Sequence, residues 1–434
     1  MKRIIALIAA GVMAAVLLCA AGCNRGSAQQ DIDVNLPTTY EADITFGVMD
    51  DPREVEVANY YISAFNKVYP KIHITVERMT TNIASLYATN TLQDVVHTGS
   101  VTSLARRGVF QSLSPYMEAS GFDTSLYYDS MIKIGQYNGE QYMLPRDYNK
   151  IAVVYNTDLF DAAKVAYPED DWTWDEFVQT CADLKAGLTA AGYTDVYAVD
   201  AMMVWEPVYY AVGVGFGGEW FDTDGTALFE NLEDGLTELQ QLYQKGYAVN
   251  PITKTQNIFL FGKAAMWILS RPSVYNCASM PDLNFDFAAF PELPTATTGA
   301  GCTGYAINNR SSDKNAAWAF IEFIMSEDGM EAFSQTGAAV PSMISLAEDP
   351  EATWTEYPDP FLNHQAFVLY PGRDFVPPYA DYYDDAYSTD INNTLLNLLD
   401  NVIQLKYGGP DDDYATLEEL ITGKAAEINR IQEG

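Results

Sequence analysis

Three observations predict an α/β fold. Near the start, two short runs of strand character flank a stretch with helical spacing. Further along, helices open on clear start signals. Short apolar runs lie between them, so strands and helices alternate. The apolar content of 48% is ordinary for a globular chain and can fill a large core.

Taken in order, Ile44 to Val48 is a short apolar strand. Val55, Ala58, Ile62, Phe65 and Tyr69 follow at helical spacing, with Pro70 as the expected stop. Ile72, Ile74 and Val76 then alternate with His73, Thr75 and Glu77, the period of a half-buried strand. Strand, helix and strand within about 35 residues make a βαβ unit, which begins a parallel sheet. Asp94-Val95-Val96 is a further short strand. Thr173-Trp174-Asp175-Glu176 is a capping box, and Phe177, Cys181, Leu184 and Leu188 line one face behind it. Thr416-Leu417-Glu418-Glu419 repeats the device ahead of Leu420, Ile421, Ala425, Ile428 and Ile431.

Charge removes whole classes of function. The 434 residues suggest two or three domain-sized units. Lys+Arg is 24 against 59 Asp+Glu, a net −35. Such a surface repels phosphate backbones and anionic lipid, and no Lys/Arg run offsets it. No nucleic-acid partner is expected. The three histidines, His73, His97 and His364, form no ligand pair, so neither a metal nor another cofactor is expected. Gly213 to Gly218 fits a dinucleotide fingerprint formally. No clear strand precedes it and Glu219 to Asp222 opens no helix, so a glycine-rich turn is expected. Asp384-Asp385 and Asp411 to Asp413 read as solvated faces or turns, with a calcium site as the alternative. With 59 acids, any one carboxylate pair for glycoside hydrolysis is uninformative.

The first residues carry an address. Lys2 and Arg3 precede an uncharged, mostly apolar run from Ile4 to Ala21. The run ends Ala20-Ala21-Gly22-Cys23, which resembles a bacterial lipobox with Cys23 as the lipid anchor. Residues 1–22 are then a lipoprotein signal peptide and 23–41 a flexible polar tether. Cleavage leaves 412 residues with 22 basic and 59 acidic side chains, a net −37. Cys181, Cys277 and Cys302 are odd in number and widely spaced; three small buried residues are expected, one disulfide being the alternative.

Seven segments in order resemble family 1 extracellular solute-binding proteins of ABC importers, the group that includes maltodextrin-binding proteins. They are Phe65 to Ile72, Asp94 to Val96, Tyr137 to Pro145, Val154 to Phe160, Trp172 to Phe177, Phe261 to Met266 and Ala316 to Phe323. Leu92-Gln93 replaces the usual Ala-Pro before Asp94, and no Trp follows Met266 at the family's ligand position. The resemblance implies a two-lobe periplasmic-binding-protein fold of type II, each lobe a sheet flanked by helices. Lobe 1 takes residues 42–146 and 292–340; lobe 2 takes 147–291 and 341–434. The chain crossings fall near Pro145–Ile151, Phe287–Leu293 and Val340–Ser342. It further implies a non-enzymatic monomer on the extracellular face of the bacterial cytoplasmic membrane, held by lipid alone. That protein delivers a sugar or oligosaccharide to a membrane permease. A glycan-degrading surface enzyme, a receptor for a non-sugar solute and a receptor feeding a sensor kinase are the alternatives.

Ligands of open α/β sheets sit beyond the strands' carboxyl ends, and sugars need planar polar groups and aromatic platforms. Candidate contacts are therefore Asp50 and Asp51 after the first strand, and His97 and Thr98 after Val95-Val96. Arg146, Asp147 and Asn149 follow Leu144-Pro145; capping for the Asp pair and an Arg–Asp bridge holding the hinge are the structural alternatives. By resemblance, Trp205, Glu206, Arg271, Thr303, Tyr382 and Tyr383 join them.

Overall fold

The computed structural model describes residues 31–200, 205–222, 225–250, 257–376 and 385–433. The elements that place the site are, in order, strand β1 (Ala42–Met49), helix α1 (Pro52–Phe65), β2 (Ile72–Met79), β3 (Val95–Thr98), α2 (Asp129–Ile134) and β4 (Leu144–Pro145). Then come β5 (Asp147–Asn156), α3 (Trp174–Ala190), β6 (Tyr197–Val199), α4 (Glu206–Gly215), β7 (Ala264–Ser270), β8 (Phe285–Ala289), β9 (Thr298–Gly301) and β10 (Gly304–Ile307). The chain closes with α5 (Lys314–Met325), α6 (Glu327–Ser334), β11 (Val340–Pro341), β12 (Asp374–Phe375), α7 (Asp385–Ile403) and α8 (Leu417–Glu433).

Among the described residues these strands make two main sheets. The first runs β2-β1-β3-β10-β4, with β1 parallel to β2 and β3 as the βαβ reading requires. The second runs β12-β9-β5-β7-β6, and β8 and β11 also pair with β5. Phe46, Tyr61, Phe65, Tyr305 and Phe320 pack under the first sheet. Under the second, α3 contributes Phe177, Cys181, Leu184 and Leu188, the face its periodicity marked. The Thr173 capping box forms, with Thr173 N donating to Glu176 Oε2 at 2.7 Å.

Several expectations need correction. Helix α1 stops at Phe65, before Pro70: Asn66 caps it and a turn covers the remaining residues. The tether is shorter than 23–41. Leu36 is only 6% exposed in the first core, and Tyr40 Oη donates to Asp313 Oδ2 at 2.9 Å. One apolar anchor outweighs the polar composition around it. Gly213 and Gly215 belong to the last turns of α4, not to a loop. A Cβ at Gly213 would stand 2.6 Å from Trp220 Nε1, and one at Gly215 2.3 Å from Leu293 Cδ1. These glycines serve close packing. Finally, β9 pairs with β5, so the second crossing lies at Cys302–Thr303 rather than near Phe287–Leu293, and residues 292–301 belong with the second sheet. The cysteines are free; Cys181 and Cys277 are buried and Cys302 half-buried.

Candidate functional site

Three chain crossings meet between the sheets. Arg146 alone separates β4 from β5, and Cys302-Thr303 separate β9 from β10. The third crossing enters at β11, whose Pro341 pairs with Asp147. Arg146 N donates to Thr303 O at 2.8 Å, and Ser342 N donates to Arg146 O at 3.1 Å. The backbone thus binds all three crossings to one residue.

Side chains reinforce this junction. Arg146 is 4% exposed. Its Nη1 donates to Glu54 Oε2 at 2.6 Å, and its Nε and Nη2 donate to Asp147 Oδ2 at 3.0 and 2.8 Å. Asp147, wholly buried, also accepts from Thr303 N at 2.6 Å and Thr303 Oγ1 at 2.7 Å. Thr303 has spent its one hydroxyl proton there, so it accepts from His97 Nε2 at 2.9 Å. This network assigns His97 the neutral Nε2–H tautomer. Its Nδ1 lies 3.4 Å from Glu54 Oε2 without an aligned hydrogen bond. Burial, then the Arg146 charge, hold the imidazole well below its ordinary range, so the close pair is not an ion pair.

Beside the junction lies a cavity of ≈ 860 Å³. Tyr128, Ser130 and Lys133 face it from the α2 segment, with Asn149 from β5 and Trp205 and Pro207 from the start of α4. Asn149 Nδ2 donates to Asp147 Oδ1 at 2.9 Å, while its Oδ1 is buried without a partner. Asp374 also lines the cavity. Its carboxylate accepts from Tyr148 Oη at 2.7 Å, Lys150 Nζ at 2.9 Å and Ser130 Oγ at 3.1 Å. Lys150 also donates to the carbonyls of Leu369 and Tyr370, tying that loop to β5. Burial lowers the Lys150 ammonium and Asp374 opposes the shift. Tyr128 stacks on Tyr148 at 4.2 Å between centroids. An indole together with amide, hydroxyl, ammonium and carboxylate groups in one wall suits a polyhydroxylated solute. Cys302 also lines the cavity, but burial raises its thiol, which suits packing better than nucleophilic chemistry. Among the described residues, no three or more His, Cys, Asp or Glu side chains gather to hold a metal.

The expected contacts divide sharply. Asn149, Trp205 and Thr303 line the cavity. Arg146, Asp147 and His97 do not; they form the junction. Asp51 is the N-cap of α1, accepting from Arg53 N at 2.9 Å. Asp50 pairs with Arg78 at 3.1 Å. With His97 and Thr98, Asp50 lines a smaller pocket of ≈ 360 Å³ at the ends of β1–β3, which shares Gly99 with the cavity. Glu206 opens α4 outside the cavity wall. Arg271 is buried under the 354–357 segment, away from the cavity, because its Nη2 donates to Trp354 O and Tyr357 O. Tyr382, Tyr383 and Cys23 lie outside the described residues. Sequence reasoning missed Tyr128, Ser130, Lys133 and Asp374. A Tyr-Tyr-Asp-Ser run before the 136–141 hairpin was visible, but nothing marked Asp374 among 59 acids.

Residues 51–331 match the family described as bacterial extracellular solute-binding protein, and the chain belongs to it. A binding protein of Brucella abortus (strain 2308) is 26% identical over 288 residues, 62% of this chain and 66% of its own length. Thus the match spans just under two thirds of that relative. Among solved structures, the cyclic alpha-maltosyl-1,6-maltose binding protein from Arthrobacter globiformis superposes with a TM-score of 0.74 at 17% identity, covering 91% of this chain and 100% of that one. An ABC substrate-binding protein from Listeria monocytogenes in complex with cycloalternan gives 0.72 at 20% identity, covering 90% and 99%. The fold is the two-lobe periplasmic-binding-protein fold of type II, and the family is one of binding proteins, not enzymes. No described helix is long and apolar enough to cross a membrane.

Proposed function

For this extracellular solute-binding protein, we propose capture of a sugar or oligosaccharide in the ≈ 860 Å³ cavity and delivery to an ABC transporter permease. The observation that carries the reading is the cavity wall, where Trp205 stands with Asn149, Ser130, Lys133 and Asp374. Of the two structural neighbours above, one is named for binding cyclic alpha-maltosyl-1,6-maltose and the other is in complex with cycloalternan, which supports a saccharide ligand here. Residues 42–146 and 302–339 form one lobe, and 147–301 with 340–434 the other. Ligand that touches both shifts the open and closed populations. Cys23 carries a lipid that holds the monomer at the outer face of the cytoplasmic membrane, and the chain from 24 to 33 is its tether.

Calorimetry and tryptophan fluorescence with di- to tetrasaccharides test the reading. A saccharide that binds saturably and moves the Trp205 signal is expected. The sugar assignment is wrong if no saccharide changes either signal while a peptide, polyamine or metal complex does.

A further inference from the structure

An arginine taken out of water ordinarily brings a carboxylate with it, because the unpaired charge costs several kcal/mol. Arg271 breaks this pattern. It is 1% exposed, and among the described residues no carboxylate pairs with it. Both its hydrogen bonds leave Nη2, at 2.9 Å to Trp354 O and 2.5 Å to Tyr357 O. Nε is buried with no partner, and Nη1 makes no hydrogen bond among the described residues. The rings of Trp354 and Tyr357 lie 5.6 and 5.8 Å away. Burial lowers the group to about 10, which leaves it a cation at neutral pH.

This charge stands in the wall of a third pocket, of ≈ 260 Å³, that shares no lining residue with the largest of the three. Helix α1 supplies Arg53, Glu54 and Tyr60; the second sheet's layer supplies Tyr275 and Tyr357 beside Arg271. The other two cations in the wall are taken. Arg53 is held by Asp51 at 2.6 Å and lies 4.6 Å over the Tyr275 ring. Arg146 is held by Glu54 and Asp147. Arg271 is the cation left over.

We propose that this pocket binds a small monocarboxylate with a flat apolar body, the carboxylate on Arg271 and the body among Tyr60, Tyr275 and Tyr357. Nη2 gives both its protons to the Trp354 and Tyr357 carbonyls, so the carboxylate accepts from the Nη1 N–H groups in a charge-assisted hydrogen bond. Glu54 and Glu56 share the wall, and their charge disfavours a dianion such as phosphate. Benzoate, one aromatic ring bearing one carboxylate, is the simplest probe of this chemistry.

The test titrates the purified chain, free of saccharide, with benzoate, its neutral isostere benzamide and inorganic phosphate, read by calorimetry and thermal shift. Saturable benzoate binding at about 1 mM or tighter is expected, with benzamide and phosphate weaker by about tenfold or more. Arg271→Met should abolish benzoate binding. Tyr275→Ala, at the exposed rim, should weaken it about tenfold without moving the thermal midpoint, which keeps the test sound if Arg271→Met folds poorly. Equal binding of benzoate and benzamide, tighter phosphate, no saturation by about 10 mM, or wild-type affinity in Arg271→Met each overturns the site. The saccharide reading is separate: a chain that binds benzoate and no sugar leaves this site standing.

Discussion

Arg146 and Arg271 are both buried guanidinium groups near the lobe junction, yet they do different work. Arg146 sits against Glu54 and Asp147, each with a carboxylate oxygen within 2.8 Å. Arg271 sits against two carbonyls and two rings. The first cation is compensated and fastens three chain crossings together. The second keeps an unmet electrostatic need at the edge of a pocket. Burial alone therefore does not say whether a charged residue is structural or functional; its partners do.

That contrast can be broken by experiment. The largest effect is expected from Arg146→Met, which strands the buried Asp147 and half-buried Glu54 carboxylates and should cost about 3–5 kcal/mol in urea unfolding. A loss below about 1 kcal/mol would mean that the junction is not held by its charges. Next comes Trp205→Ala in the cavity wall. It should weaken saccharide binding by about 2 kcal/mol with little change in unfolding. A large stability loss with unchanged affinity would return Trp205 to the core.

A smaller effect is expected from acid. His97 in the junction and His364 beside Trp354 are both held neutral by burial, His364 at about 4. A depressed folded-state pKa means that the unfolded chain binds the proton first. Stability is then full above the unfolded value near 6.5 and falls as pH drops toward the folded value, by about 1 kcal/mol per histidine at pH 5.5. Urea midpoints at pH 8 and 5.5 should show the loss, and His364→Gln should remove roughly half of it; an unchanged slope sinks the assignment. The smallest effect belongs to Arg271→Met. Relief of an unpaired buried charge should offset two lost hydrogen bonds, leaving stability within about 1 kcal/mol of the parent. If Arg271→Met costs as much as Arg146→Met, the two arginines are alike and the contrast falls.

Local signals in the chain were readable where chemistry is local. The alternation of Ile72, Ile74 and Val76 gave a strand, and Thr173 with Glu176 gave a helix start. Of the expected contacts, Asn149, read from its place after Leu144-Pro145, and Trp205 and Thr303, read from the family resemblance, line the cavity. The same reasoning placed Arg146, Asp147 and His97 in the ligand site, where the structure makes them its frame. Nothing along the sequence tells whether Asp147 meets a ligand hydroxyl or Thr303, which is 156 positions away.

By itself, then, the sequence determined the α/β class, the starts of its main helices, the acidic character and the family. Each rests on neighbours along the chain or on summed composition. Only the tertiary structure decided which polar groups are spent on one another and which remain for a ligand. It brought Asp374 to Tyr148 and Lys150, and Arg146 to Glu54. It left Arg271 without a carboxylate. Hydrogen bonds and ion pairs are short-ranged, so their partners are fixed only once distant segments share the same few ångströms.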